Sequence, residues 1–336
     1  MQRVLHILAV ALLGILAARS AAAAENAADF FRGKTVTYIV SAEPGGGYDT
    51  YGRLLARYMQ KYLPGTRFVV RNVTGAGNII GANTIFVARP DGLTIGSFNT
   101  GLVYGQLLGL QGIRFKLNEM TWIGKMAEEG RTIVLSKRSG LDDVQDVINA
   151  KETLRFASAS LGTANHMELL ILKEALKLNI RLVPGMSGGD TELSMLRGDV
   201  AGALNAASSH DAFVKRGDGK YVLAITGDGN DVPNVPQAHD LVRDPAQLRL
   251  LRLMETVAEL GRLTAGPPGI LAERVEMLRN AYMKAVADPE LLAHAKQINI
   301  PIQPARGDDV AVKIRAALAQ PPDVVAHLKR VVGGAE

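Results

Sequence analysis

Val36-Thr37-Tyr38-Ile39-Val40-Ser41-Ala42-Glu43-Pro44-Gly45-Gly46-Gly47-Tyr48-Asp49-Thr50 reads as a strand, a flexible turn and the start of a helix. Val36 to Val40 is rich in the β-branched and aromatic residues that suit a pleated surface. Glu43 to Gly47 has turn composition. Beyond it, Leu54, Leu55, Tyr58, Met59 and Tyr62 recur on one face of a helix, with Asp49 or Thr50 placed to cap it. A helix N-terminus leaves N–H groups unpaired and carries partial positive charge. Glycine lets an oxyanion come close to that backbone. The unit therefore predicts a cradle for a carboxylate or phosphate that needs no charged side chain, formed by Pro44, Gly45, Gly46, Gly47, Tyr48 and Asp49.

The same design recurs downstream. Arg67 to Val73 reads as a strand, Thr74 to Asn78 as a loop carrying Gly75, Ala76, Gly77 and Asn78, and Ile79 to Ala88 as a helix stopped by Pro90-Asp91-Gly92. Leu93 to Phe98 is a third strand. A second set begins near Arg131: strand Thr132 to Ser136, helix Asp142 to Ala150, strand Arg155 to Ala159, then a loop with Gly162, Thr163 and Asn165 before a helix from His166 to Leu178. Strand Ile180 to Val183 leads into Gly185-Met186-Ser187-Gly188-Gly189 and a helix from Asp190 to Arg197. Val200 to Leu204, followed by Asn205, and Tyr221 to Thr226 read as further strands. Helices cover Glu273 to Ala287 and Leu291 to Gln297, with Asp288-Pro289 between them. Alternating strands and helices imply α/β architecture with mainly parallel sheets flanked by helices, and two such sets imply two lobes. Ligands of open parallel sheets bind at the carboxyl ends of the strands, where these loops lie.

Composition narrows the function. A chain of 336 residues is long for one core. Aromatic residues are 5%, too few for a stacking platform on single-stranded nucleic acid, and the basic residues are scattered without a run. The net charge of +5 is mild, and a slightly positive cleft favours an anion. There is no cysteine, hence no disulfide, thiol nucleophile or thiolate metal site. Arg3, the apolar run Leu5 to Ala17 and the small residues Ala21 to Ala24 read as a secretory signal over residues 1–24, cleaved after Ala24. That reading places the protein outside the cytoplasm.

Competing chemistries fail on spacing. Gly75-Ala76-Gly77-Asn78-Ile79-Ile80-Gly81 is one residue too long for a dinucleotide fingerprint and lacks its acidic partner. There is no phosphate-binding G-x-x-x-x-G-K-[ST] and no G-x-S-x-G elbow. The six histidines are far apart, and Asp228-Gly229-Asn230-Asp231 reads as a solvated loop. No metal site, cofactor or catalytic constellation emerges, so the chain reads as a binding protein and not as an enzyme. Some residues have two readings. Asp49 either contacts the ligand or caps its helix, and His166 either donates to an anion or packs. Trp122 reads as core or inter-lobe packing. Arg71 and Arg131 lie beside loops and either add charge to the cleft or lie on the surface, with the surface the expected place for each.

Taken in order, these segments resemble the periplasmic substrate receptors of tripartite tricarboxylate transporters, the family that includes the Bug-type receptors. Pro44-Gly45-Gly46-x-x-Asp49 after a strand is similar to the family's most specific signature. Val70-x-Asn72-x-x-Gly75-Ala76-Gly77, Ala88-Arg89-Pro90-Asp91-Gly92-Leu93-Thr94, Gly162-Thr163-x-x-His166 and Arg197-Gly198-Asp199-Val200 are similar to further family segments, over roughly Phe30 to Leu328. The resemblance implies a two-lobed, flytrap-like receptor with one lobe from 30–127 plus 262–330 and the other from 128–261. It also implies a periplasmic monomer that captures a small carboxylate (a di- or tricarboxylate or related organic acid) and passes it to membrane permease subunits. A sensory co-receptor, or an enzyme using the same cleft, is the alternative. Carried across by position, Gly46, Gly47 and Asp49 face Gly162 and Thr163, and Met186, Ser187 and Asn205 join the ligand-binding set with Asn165 and His166. Departures from the family lie at Ser41-Ala42-Glu43, Leu93, Ala201 and around Met186, so the pocket walls, and with them the acid accepted, are expected to differ.

Overall fold

A computed structural model of the chain describes residues 27–128, 130–225, 232 and 234–333. The signal segment, Thr226 and the loop Asp228–Asp231 lie outside the described residues. Eleven strands are described: β1 (Thr35–Val40), β2 (Arg67–Asn72), β3 (Thr94–Phe98), β4 (Thr121–Lys125), β5 (Arg131–Ser136), β6 (Leu154–Ala157), β7 (Ile180–Val183), β8 (Gly202–Ala206), β9 (Gly219–Ile225), β10 (Leu263–Gly266) and β11 (Ala305–Arg306). They form two sheets, ordered β11-β4-β10-β3-β1-β2 and β7-β6-β8-β5-β9.

Both sheets follow one plan. β1 runs parallel to β2 and β3, and β6 runs parallel to β7 and β8. One interior strand in each is inverted: β10 is antiparallel to β3 and β4, and β5 is antiparallel to β8 and β9. The short β11 is also antiparallel, to β4. The remaining strands share one direction, so each sheet is mixed with a parallel majority. The two interior inverted strands are those the chain enters on passing from the other sheet: β5 follows β4 with no helix between them, and β10 follows β9 from the other side. A strand reached without a same-sheet crossover helix is free of the rule that makes such connections parallel.

Local sequence explains the layers. In β1, Val36, Tyr38 and Val40 are buried on one face and Ile39 on the other, as a strand covered on both sides requires. Every residue of β5 is buried, whereas β2, at a sheet edge, is half exposed. The helix Gly47–Met59 buries Tyr51, Leu54, Leu55, Tyr58 and Met59 and packs on the helix Ala272–Val286. Asp288 caps the next helix, Pro289–Gln297, by accepting from the Glu290 N–H at 2.8 Å.

Trp122 is core: its indole donates to the Leu117 carbonyl at 2.9 Å and its ring meets Phe98 edge-on. One apolar cluster runs from Phe98 and Trp122 in the first sheet to Ile133 and Phe156 in the second. The last two helices add to it: Gly307–Leu318 lies on β4, and Pro322–Gly333 on the helices Ala164–Ala175 and Pro245–Ala258. No helix among the described residues is long and apolar enough to cross a membrane.

Candidate functional site

A cleft of about 900 Å³ opens between the two sheets. The loops after β1, β2, β6 and β7, and the end of β8, converge on it, so it lies at the carboxyl ends of the parallel strands.

The loop after β1 is shaped from behind by Asp49. Gly46, not Asp49 or Thr50, is the N-cap of the helix, and it has no side chain to cap with. The Asp49 carboxylate instead turns back to accept from the Gly45 N–H at 3.0 Å, Arg53 Nε at 2.9 Å and Asn72 Nδ2 at 2.9 Å. Asn72 Nδ2 also donates to the Ala42 carbonyl, so both ends of the turn are tied down. Gly45 has φ +78°, a left-handed conformation that disfavours any side chain. Among the described residues, the N–H groups of Gly46, Gly47 and Tyr48 make no hydrogen bond. Burial works against the Asp49 charge, but Arg53, the Gly45 N–H and Asn72 outweigh it and hold the carboxyl below its usual range. Its contribution is therefore present at neutral pH and lost as pH falls through the lowered folded value. Asp49→Ala should destabilise the fold by about 1–3 kcal/mol at pH 7. In urea titrations the difference from wild type should shrink on acidification; a pH-independent difference would contradict the ion-pair account.

The facing wall belongs to the second sheet. Thr163 is the N-cap of the helix Ala164–Ala175, and its hydroxyl contacts the Ser160 carbonyl at 2.6 Å and Asn165 Oδ1 at 2.8 Å. Asn165 Nδ2 donates to Asn205 Oδ1 at 3.2 Å, and Asn205 Nδ2 meets His210 Nε2 at 3.0 Å. His210 Nδ1 lies 3.4 Å from Glu192 Oε1, which implies the tautomer with its proton on Nδ1. This chain of polar groups fixes the wall from the Gly162-Thr163 turn to the surface.

Two arginines line the cleft at the places where the chain passes between sheets. Arg131 opens β5. Its Nε donates to Glu168 Oε2 at 2.8 Å and its Nη2 to Thr100 Oγ1 at 3.1 Å. Arg262 precedes β10. Its guanidinium lies over the rings of Tyr48 and Tyr51, 4.7 and 4.6 Å from their centroids. It presses so closely on Gly47 that a Cβ there would sit 2.8 Å from Nη2. Arg262 also holds φ +56°, a strained conformation for a residue with a side chain.

The expected residues divide. Pro44, Gly45, Gly46, Gly47 and Tyr48 line the cleft, as do Gly75, Gly77 and Asn78 from the β2 loop and Thr163, Asn165, Ser187 and Asn205 from the second sheet. Asp49 lies behind its loop. Met186 lies against a small core containing Val134, Met195 and Phe213, while its neighbours Gly185, Ser187 and Gly188 form the wall. Ala76, Gly162 and His166 line a second cavity behind the Ser160–Thr163 loop. His166 Nδ1 is 3.1 Å from Ser158 Oγ, and burial lowers its pKa. Arg71 is exposed, as expected, but Arg131 is only 9% exposed. A surface position is wrong for Arg131 because it has a buried carboxylate to pair with. Asn99, Glu192, His210 and Arg262 also line the cleft and were not anticipated. Among the described residues no cluster of three metal-ligating side chains occurs.

Two mixed sheets with a ligand-sized cleft between them, and the chain crossing at its base, define a two-lobed solute-binding protein. A family model described as the tripartite tricarboxylate transporter family receptor, TctC, matches residues 52–296, and the chain belongs to that family. It is 26% identical over 242 residues to protein BugT of Bordetella pertussis, covering 69% of this chain and 73% of that protein. The fold is similar to the periplasmic binding protein BugD, with a TM-score of 0.73 and 21% identity over 90% of this chain and 98% of that one. It is also similar to MatC of Rhodopseudomonas palustris with bound malate, with a TM-score of 0.70 and 20% identity over 89% and 99%.

Proposed function

We propose that this protein is a periplasmic receptor that captures a small di- or tricarboxylate between its lobes and delivers it to the membrane subunits of a tripartite tricarboxylate transporter. The observation that carries this reading is the pairing of free N–H groups at Gly46, Gly47 and Tyr48 with the guanidinium of Arg262 on one side of a cleft. Backbone donors at a helix start take one carboxylate, and the arginines draw a polyanion to the floor. The lobes are divided near residues 127 and 262, where the chain passes between sheets, and close as rigid bodies about those two segments. The malate held by MatC is a ligand of the same chemical kind.

A thermal-shift panel of organic acids tests the proposal, because a ligand at 100 times its Kd stabilises by about 2.7 kcal/mol. Failure of every di- and tricarboxylate to raise the unfolding temperature would sink it. With the best acid in hand, Arg262→Ala should weaken binding at least about tenfold, or roughly 1.4 kcal/mol, by calorimetric titration. Arg262→Lys should recover only part, since lysine keeps the charge but not the planar fork.

A further inference from the structure

The second cavity, of about 770 Å³, has a different chemistry from the cleft. The cleft mixes arginines with Glu43, Asp190 and Glu192. The second cavity has no acidic residue in its lining. On the first-sheet side its wall is Ile79 and Leu110, and on the other side Leu161, Met167, Leu170 and Ile180. Lys173 follows His166 and Leu170 along one helix face, and Arg181 stands on β7, an edge strand. Leu161 is 66% exposed at the rim, a large apolar side chain left in water at the mouth of an apolar cavity.

We propose that this cavity is a second ligand site, for a monoanion with an apolar body, such as a medium-chain monocarboxylate. The apolar walls take the body, and Lys173 and Arg181, with no acid to neutralise them in the lining, take the head. The volume lies within the range of small-molecule sites. Because its walls come from both lobes, the site is complete only while they are together. Gly77, which lines the cleft, packs on Leu161 and Gly162, which line this cavity: a Cβ on Gly77 would stand 2.5 Å from the Leu161 carbonyl oxygen and 3.2 Å from Gly162. The occupant therefore touches the back of the loop whose front carries Thr163, and any effect of this ligand on affinity in the cleft must be matched by an equal effect of the cleft ligand here.

Octanoate is the probe, with the whole protein in thermal-shift and calorimetric titrations. It should bind and raise the unfolding temperature, whereas acetate, a head without a body, and 1-octanol, a body without a charge, should not at the same concentrations. Lys173→Glu/Arg181→Glu, both outside the core, should weaken octanoate at least tenfold. Arg262→Ala, in the cleft, should leave it within twofold. A larger loss with Arg262→Ala would assign octanoate to the cleft and overturn the proposal. So would binding that survives the double charge reversal, octanol matching octanoate, or no octanoate binding to the wild-type protein.

Discussion

Glu168→Ala should destabilise the protein by about 3–5 kcal/mol, the usual effect of removing one partner from a buried ion pair. Glu168 has no solvent exposure, yet it sits within the apolar run Met167-Glu168-Leu169-Leu170. Its Oε2 accepts from Arg131 at 2.8 Å and its Oε1 from the Tyr104 hydroxyl at 3.5 Å. Alanine removes the carboxylate that accepts from Arg131, whose side chain is 11% exposed, and opens a void under the cleft floor. Urea unfolding at neutral pH measures the loss. The pairing account makes a second demand: Arg131→Met/Glu168→Leu should recover most of the stability, because packed apolar groups replace a buried pair at little cost. If the double variant is as unstable as the single one, shape rather than charge is what Glu168 supplies. Burial raises the Glu168 carboxyl above its ordinary value, with Arg131 opposing. The contribution of this one group is therefore full at low pH and falls as pH rises through the raised folded value, opposite in sense to Asp49.

Glu168 also marks where reading the chain from its residues stops. β1, β2, β6 and β7 were legible because each ends in a glycine-containing turn and a helix follows; the helix Gly47–Met59 buries the face that its leucine and tyrosine spacing indicates. β4 and β10 were not. Thr121–Lys125 and Leu263–Gly266 are short, contain glycine, and become strands because each fits between neighbours already formed. The helix Gly101–Leu108 is apolar on nearly every side and shows no polar face to give it away. The helix Pro245–Ala258 was not anticipated either, although Asp244-Pro245 before Leu250, Leu251, Met254 and Val257 supplies a helix start and an apolar face.

At the site, glycine loops pointed to the cleft because flexible turns between strand and helix are local features. Arg262 and His210 were illegible because their roles come from tertiary neighbours, Tyr48 and Asn205. Arg131 had one faint signal: a glutamate in the apolar stretch of a distant helix needs a partner. Asp49 misled for a physical reason, since three donors converge on its carboxylate and draw it away from the cap.

Gly101→Ala and Gly77→Ala should each weaken carboxylate binding by about a hundredfold or more, roughly 2.7 kcal/mol, by keeping the lobes apart. At Gly101 a Cβ would stand 2.4 Å from the Ala164 nitrogen, and at Gly77 2.5 Å from the Leu161 oxygen. Both obstacles are backbone of the opposite lobe, which no rotamer change relieves. Gly101 is not left-handed, so alanine there adds no backbone strain; within its own lobe the Cβ would also come within 2.8 Å of the side-chain oxygen of Asn99. Gly77, at φ +60°, adds backbone strain to the clash. The Gly101 variant thus separates closure from folding. Without ligand it should unfold near the wild-type temperature, whereas with saturating acid its shift should be lost. Small-angle scattering gives the independent check: wild type should contract when the acid binds, and Gly101→Ala should not. A variant that binds and contracts like wild type would mean that the contact of Gly101 with Ala164 is not part of closure, and that the hinge lies elsewhere than the two segments bearing Arg131 and Arg262.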